Sequence, residues 1–317
     1  MPSAIQLSRR TWAALLGGAA LAFVSYFMGA FAVDPIARAH AANELVLRRL
    51  GAGIQLFHGP DGRLLRSFVL GPLSAEVPVV LLHGLGATGD YFTLVTRELV
   101  KAKRTVILLD FAGSGGSERP AEPSGYGVNA RVAAVASLLQ ALGLDRVDLV
   151  GHSLGGWTAG MFAIRQPESL RRLVLLDAGG FTLPGDPQAT KAALEPHDRA
   201  GARHLLGLLF HRQPFPLAAG FTVNALGRSF RDDNVLVTLA QLDEKDGLLG
   251  REQELPAGTR LIWGEKDALF PLADARRLLT KLRDGRLYTI TAVGHDPPIE
   301  APRRFREALF RALDMAP

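Results

Sequence analysis

Short apolar runs alternate with amphipathic stretches from Gly53 to the C-terminus. The first two runs flank the turn Gly59-Pro60-Asp61-Gly62 and predict a β-hairpin. The later runs are continuous and rich in valine, isoleucine and leucine, which is typical of strands buried on both faces. Strands that alternate with helices predict an α/β fold with a mainly parallel sheet covered by helices, entered by the antiparallel hairpin.

The predicted strands are Ile54 to Phe57, Leu64 to Leu70, Val77 to Leu82, Arg104 to Leu109, Val147 to Val150, Leu173 to Leu176, Leu261 to Trp263 and Leu287 to Ile290. The predicted helices are Phe92 to Ala102, Val128 to Leu142, Leu154 to Gln166, Leu272 to Leu282 and Arg303 to Leu313.

Residues 179–258 interrupt this alternation and are far longer than a usual connection between a strand and a helix. Helical patterns over Arg203 to Phe210 and Val235 to Leu242 predict a helical cap inserted into one domain, residues 51–317. We expect most of the apolar residues of the cap to pack on the core and a minority to line an acyl pocket. They include Leu205, Leu206, Leu208, Leu209, Phe210, Phe215, Leu217 and Phe221.

An uncharged run from Thr11 to Val33 follows Arg9-Arg10. As a helix it would extend roughly 34 Å, enough to cross a bilayer core. The length favours an uncleaved transmembrane anchor, and a short charged N-terminus ahead of a large domain favours an orientation with that domain outside the cytoplasm. A cleaved export signal is the alternative, with Ala30-Phe31-Ala32 or Ala37-Arg38-Ala39 as the cleavage site, and the arginine pair is similar to a twin-arginine signal.

The stretch from Pro35 to Leu50 predicts a basic amphipathic helix, which completes the N-terminal segment of residues 1–50. Such a helix could rest on a lipid surface or serve as a solvated linker, and we favour the linker.

Composition excludes some functions and leaves others open. Among 317 residues, 36 are lysine or arginine and 31 are aspartate or glutamate, which gives a net charge of +5. The basic residues are scattered without a stripe of interleaved aromatic residues, which argues against a nucleic-acid partner. The absence of cysteine excludes disulfides, thiolate metal sites and a cysteine nucleophile. Nothing in the sequence indicates the oligomeric state.

The candidate nucleophile is Ser153, in Gly151-His152-Ser153-Leu154-Gly155. An apolar run ends at this pentapeptide and a predicted helix begins directly after the serine. A nucleophile elbow needs this context, because the serine sits on a strained strand-to-helix turn and the glycines leave room for the crowded backbone.

Two further residues have the chemistry to activate Ser153. His295 follows the last predicted strand and is the candidate base, since a serine hydroxyl is a poor nucleophile until a base takes its proton. Asp267 follows the preceding strand in the same way and is the favoured acid that would orient the imidazole. The competing acids are Glu265, Asp177 and Asp296. The order serine, aspartate, histidine fits the chain order of an elbow-type triad.

The oxyanion of an acyl-transfer intermediate needs N–H donors. The predicted donors are the backbone amides of Leu154 and of Leu85, the latter in a glycine-containing loop after a strand. His83 and His152 are expected to brace tight turns. A zinc site formed by these two histidines and His295 lacks any metal-ligand spacing, so no metal or cofactor is predicted.

Five motifs in this order resemble the α/β-hydrolase superfamily. They are Leu82-His83-Gly84-Leu85-Gly86, Asp110-Phe111-Ala112-Gly113-Ser114-Gly115-Gly116-Ser117, Gly151-His152-Ser153-Leu154-Gly155-Gly156, Gly264-Glu265-Lys266-Asp267 and Gly294-His295. The resemblance extends from about Gly53 to the C-terminus. The second motif departs from the family at Phe111-Ala112, where a proline or arginine usually precedes the glycine; this affects loop packing and no catalytic role.

The resemblance implies a hydrolase, most similar to bacterial lipases and esterases, including monoacylglycerol-lipase-like members. A serine at position 153 argues against the branches with an aspartate nucleophile, the haloalkane dehalogenases and epoxide hydrolases. We expect hydrolysis of carboxylic esters that carry an apolar or lipid-like acyl group. The alternatives are a carbon–carbon bond hydrolase, an acyltransferase and a non-catalytic binding protein on the same fold.

Overall fold

The computed structural model describes residues 35–73, 76–181, 191–212 and 219–316. Within these residues eight strands form one sheet in the order β1-β2-β4-β3-β5-β6-β7-β8. The strands are β1 (Gly53–His58), β2 (Leu64–Leu70), β3 (Val79–Leu82), β4 (Val106–Asp110), β5 (Val147–His152), β6 (Leu170–Leu176), β7 (Arg260–Gly264) and β8 (Arg286–Ile290). β2 pairs antiparallel with β1 and β4, and the other pairings are parallel, which confirms the predicted hairpin and parallel sheet.

The helices flank this sheet. They are α1 (Pro35–Arg49), α2 (Thr93–Lys101), α3 (Val128–Ala141), α4 (Leu154–Arg165), α5 (Arg199–Leu209), α6 (Ala219–Ser229), α7 (Asp233–Ala240), α8 (Leu272–Leu279), α9 (Pro297–Glu300) and α10 (Pro302–Ala312). The predicted helices all occur, with ends shifted by a few residues. α8 stops earlier than predicted, because the chain turns before Asp284, whose φ is 55°, and Gly285. Helices α6 and α9 were not predicted.

The sheet separates two apolar cores. Along β3, Val80 and Leu82 pack in the core that contains α3 and α4, whereas Val79 and Leu81 pack in the core that contains α2 and α10. Successive strand residues point to opposite faces, so a strand covered on both sides must be apolar at every position. This explains why the central runs are continuous in the sequence. It also places the carboxyl ends of the parallel strands at one edge, where loops can meet.

Helix α1 forms where the sequence predicts a helix, but it packs on the domain and is more than a solvated linker. Leu47 is fully buried in the core that holds α2 and α10. Glu44 accepts a hydrogen bond at 3.0 Å from Arg66 of β2, and His40 contacts Asp90 at 2.8 Å. The apolar and polar positions that predicted a surface helix therefore serve a tertiary contact, which the sequence pattern does not distinguish from a lipid contact.

Helices α5, α6 and α7 occupy the interval between β6 and β7, inside the predicted insertion. The domain boundaries and the cap over residues 179–258 stay predictions. Phe215 and Leu217 lie outside the described residues, as does the run from Thr11 to Val33 with its arginine pair and its first cleavage site. Within the described part of the chain, no helix has the length and apolar character needed to span a bilayer.

Candidate active site

Ser153 lies on the sharp turn between β5 and α4. Its backbone has φ 55° and ψ −119°, a conformation that costs energy for a residue with a side chain. The flanking glycines make the turn possible, since a Cβ at Gly151 would overlap the carbonyl of Gly155, and a Cβ at Gly155 would overlap the backbone at the end of β3. The turn presents the serine to a cavity at the carboxyl edge of the sheet.

His295 lies in the loop after β8 and lines the same cavity as Ser153. Its Nδ1 lies 2.8 Å from Oδ2 of Asp267, which follows β7. The other carboxylate oxygen of Asp267 accepts hydrogen bonds from the amides of Leu269 and Phe270 at 2.8 and 2.9 Å. The aspartate is thus fixed in orientation, and a neutral His295 that donates from Nδ1 to it has its free lone pair on Nε2.

The three competing acids have other partners. Glu265 accepts a hydrogen bond from the Ala292 amide at 2.9 Å, and Asp296 accepts one from the Tyr91 hydroxyl at 2.8 Å. Asp177 accepts a hydrogen bond from the Gly264 amide at 2.7 Å. Among the described carboxylates, Asp267 is therefore the one hydrogen-bonded to the ring of His295.

Burial and charge set the protonation states around His295. Burial lowers the pKa of His295, but the charge and hydrogen bond of Asp267 outweigh it, so the net pKa is raised. Burial, with the charge of nearby Asp267, raises the pKa of Asp177 well above its ordinary value. Asp177 therefore holds its proton to higher pH than an exposed aspartate does.

Asp177, Asp267 and His295 are also close enough to share a metal ion. The direct hydrogen bond of His295 to Asp267 and the raised pKa of Asp177 favour a proton-holding cluster over a cation site, since a metal ligand must be deprotonated.

The two predicted oxyanion donors reach the cavity from different elements. Leu85 lies in the loop after β3, Leu154 is the first residue of α4, and both line the cavity beside Ser153. No backbone carbonyl of the described residues accepts a hydrogen bond from either amide. Gly84 lets this loop approach, because a Cβ there would stand 3.1 Å from the Cβ of Ser153. Both amides are thus available to a substrate oxygen.

A second polar network supports the backbone of His295; the sequence indicated the bracing role of His152 but not the contact with Tyr91. The ring of Tyr91 stacks on His152 with centroids 5.0 Å apart, and Nε2 of His152 donates to the carbonyl of His295 at 2.9 Å. Burial raises the pKa of Asp296, the acceptor of the Tyr91 hydroxyl, to about 6. Burial also lowers the pKa of His152 well below its ordinary value, so His152 is a neutral brace.

His83 braces the preceding loop, as expected. Its Nδ1 donates to the carbonyl of Gly84 at 2.8 Å, and its Nε2 accepts from the amide of Phe111 at 3.2 Å. Burial lowers the pKa of His83 to about 4, so its ring is neutral.

The cavity above Ser153 has a volume of about 1240 Å³, and its described lining is largely apolar. The cap region contributes Leu194, Leu206, Leu209, Phe210, Phe221, Leu226, Phe230, Leu239 and Leu242. Four of these were among the apolar cap residues noted in the sequence, whereas Leu205 is buried in the core. The amide of His295 donates to the carbonyl of Leu209 at 2.9 Å, so the helices over the cavity also hold the candidate base.

Helix α1 closes part of this cavity through Ile36, Ala39, His40 and Asn43. These residues follow the i, i+3, i+4, i+7 spacing of one helix face, so the sequence carried a signal for them that was not recognised. His40 and Asn43 hold Asp90, with Asn43 Nδ2 donating at 3.0 Å. Burial raises the pKa of Asp90, but the hydrogen bond and charge of His40 outweigh it, and the net pKa is lowered.

The parallel sheet and the strained serine between a strand and a helix define a class of enzymes. In this class, loops at one edge of the sheet bring together a nucleophile, a base and amide donors. The family described as the alpha/beta hydrolase fold matches residues 77–302. The chain therefore belongs to the α/β-hydrolase family and is a hydrolase of that fold.

Proteins with different reactions are similar to this chain. The 2-hydroxymuconate semialdehyde hydrolase of Pseudomonas sp. (strain CF600) is 32% identical over 241 residues, which cover 73% of this chain and 84% of that protein. The (lyso)-N-acylphosphatidylethanolamine lipase of Mus musculus is 34% identical over 121 residues, 37% of this chain and 35% of that protein. A crystal structure of a bacterial membrane phospholipase A has a TM-score of 0.75 and 24% identity, covering 95% of this chain and 97% of that one.

Proposed function

We propose that the protein hydrolyses carboxylic esters with an apolar, lipid-like acyl group through Ser153, His295 and Asp267. The single observation that carries this proposal is the position of Ser153. It stands on a strained elbow and opens into a large, mainly apolar cavity that it shares with the hydrogen-bonded His295. A nucleophile, a base and an apolar acyl site in one cavity suit ester hydrolysis.

In the proposed reaction, Nε2 of His295 takes the proton of Ser153 as its Oγ bonds to the ester carbonyl carbon. The amides of Leu85 and Leu154 stabilise the negative oxygen that forms. The carbon–oxygen bond to the alcohol then breaks, and the alcohol leaves with the proton from His295. Water, deprotonated by His295, attacks the acyl-enzyme; the acid is released and Ser153 regains its proton.

A series of p-nitrophenyl esters of increasing chain length, assayed with the full-length protein, tests this proposal. We expect turnover by the wild type, a preference for longer acyl chains, and loss of turnover in Ser153→Ala. The matched control is Ser124→Ala, an exposed serine distant in sequence from the elbow. Equal inactivity of the wild type and Ser153→Ala at every chain length would refute the proposal. An added alcohol that captures most of the acyl group would instead indicate an acyltransferase.

Carbon–carbon bond hydrolysis is the second candidate, since the semialdehyde hydrolase relative is 32% identical. The cavity gives this reaction less support. Its described lining includes no arginine, and its one lysine, Lys191, donates to the carbonyl of Leu242 at 2.7 Å. A substrate with a carboxylate would need a cation that is free to pair with it. Turnover of a 2-hydroxy-6-oxo-dienoate acid faster than of any ester would reverse this ranking.

For the N-terminus, we propose that residues 11–33 anchor the protein in a membrane with the hydrolase domain outside the cytoplasm. Carbonate extraction of membranes, combined with N-terminal sequencing, tests this. The anchor predicts an intact N-terminus that stays in the membrane fraction. A soluble mature form that begins near residue 33 or 40 would contradict it and support a cleaved signal.

A further inference from the structure

Three apolar side chains that line the cavity are also exposed to solvent. Leu94 at the start of α2 is 60% exposed, Phe221 of α6 is 53% exposed and Ile299 of α9 is 38% exposed, and all three line the cavity. A residue that lines a cavity and also faces solvent lies at the cavity opening. We call these three residues the mouth cluster.

The residues of the mouth cluster come from three separate helices, so their exposure is not explained by the apolar face of a single helix. Single exposed apolar residues are common on protein surfaces, but a group around one opening marks an interaction site. The half-buried Ile36 of α1 lines the same cavity. Five other exposed large apolar residues of the described chain do not line it, and two of them, Leu56 of β1 and Leu249 before β7, serve as a comparison.

The course of the chain indicates what covers the mouth cluster. The uncharged run ends at Val33, and Ile36 already lines the cavity. Three residue steps extend at most roughly 11 Å, because consecutive Cα atoms are about 3.8 Å apart. If the run crosses a bilayer, Ile36 and the part of the cavity that it lines must therefore lie close to the lipid surface. Arg38, two residues after Ile36 on α1, is exposed, and a basic side chain suits anionic headgroups.

We infer that the mouth cluster docks on the surface of a lipid bilayer, so that the cavity opens toward the membrane and takes its substrate from there. This inference builds on the proposed membrane anchor and adds a second, separate contact made by the hydrolase domain itself. Apolar side chains seated at the headgroup boundary are typical of interfacial membrane contacts.

The absence of cysteine permits a direct test with the full chain. Leu94→Cys, Phe221→Cys and Ile299→Cys would each carry one polarity-sensitive fluorophore, with Leu56→Cys and Leu249→Cys as controls of similar exposure. The labelled proteins are reconstituted in vesicles of phosphatidylethanolamine with a minor fraction of phosphatidylglycerol, with or without a lipid that carries a nitroxide at the headgroup level. Flotation shows first whether each protein is bound to the vesicles.

We expect labels in the mouth cluster to emit at shorter wavelength and to be quenched by the nitroxide lipid, while both control labels are unaffected. Flotation with mouth-cluster labels quenched no more than the controls would refute the docking surface and leave the anchor standing. A chain that fails to float would refute both. Since no step measures hydrolysis, either failure is distinct from a failure of the proposed ester hydrolase.

Discussion

The choice between Asp267 and Asp177 as the acid of the triad can be tested by replacing each with asparagine. In Asp267→Asn, the amide oxygen should take the place of Oδ1, which accepts two backbone amides at 2.8 and 2.9 Å. The amide nitrogen then faces Nδ1 of His295, which lies 2.8 Å from Oδ2 in the native protein. Two donors cannot share this contact, so the proton of His295 moves to Nε2, where the ring can no longer accept a proton from Ser153.

The expected cost of Asp267→Asn is a loss of about 10⁴-fold in kcat, as in the corresponding exchange in serine protease triads. This equals roughly 5.5 kcal/mol in the barrier, at about 1.4 kcal/mol for each factor of ten. Asp177→Asn should cost less than about tenfold, because burial favours the neutral form of Asp177 and an amide is close in shape to a neutral carboxyl. Its oxygen can still accept from the Gly264 amide, now at 2.7 Å.

The assay is hydrolysis of the best p-nitrophenyl ester by wild type, both variants and Asp145→Asn, an exposed aspartate that serves as the matched control. Thermal unfolding of each protein separates a loss of catalysis from a loss of folding. A larger fall in kcat for Asp177→Asn than for Asp267→Asn, with both proteins folded, would refute the assignment of Asp267.

Three further outcomes follow from the same structure. The raised pKa of His295 predicts that kcat/KM falls as pH drops through a value above 6.5, since the base must be neutral. Asp267→Asn should move this acid limb of the pH profile to lower pH, because the variant lacks the carboxylate that raises the pKa. An acid limb that does not move would show that another group titrates. Burial raises the pKa of Asp296 from 3.8 to about 6, so the folded state binds this proton more tightly than the unfolded state and stability is lost as pH rises through that interval. In urea unfolding, the free energy of unfolding of Asp296→Asn minus that of the wild type should therefore rise by about 3 kcal/mol between pH 3 and pH 8. The same difference at both pH values would contradict this. In thermal unfolding, Gly155→Ala should lower the free energy of unfolding by about 2 kcal/mol or more, because the added Cβ overlaps backbone carbonyls at the end of β3. The control Gly207→Ala lies on an exposed face of α5 with open space around it, so its free energy of unfolding should be unchanged or slightly higher.

The helical segment before the hydrolase domain shows why some features escaped sequence interpretation. The spacing of Ile36, Ala39, His40 and Asn43 marks one helix face, and the sequence predicted the helix itself. A periodic apolar face indicates that the helix packs against a partner. The periodicity is the same whether that face contacts lipid, packs on a protein surface or lines a cavity. The choice depends on Asp90 and on the neighbouring helices, which come together with α1 only in the folded chain.

The sequence by itself determined the alternation of strands and helices, the antiparallel hairpin and the elbow at Ser153. These features are local, because strand and helix periods and the steric freedom of glycine act over a few residues. Only the tertiary structure decided that Asp267, and not Asp177 or Asp296, is hydrogen-bonded to His295, and that the three exposed residues of the mouth cluster line one cavity. Both depend on distances between loops far apart in the sequence, which arise when the parallel strands bring their carboxyl ends to one edge.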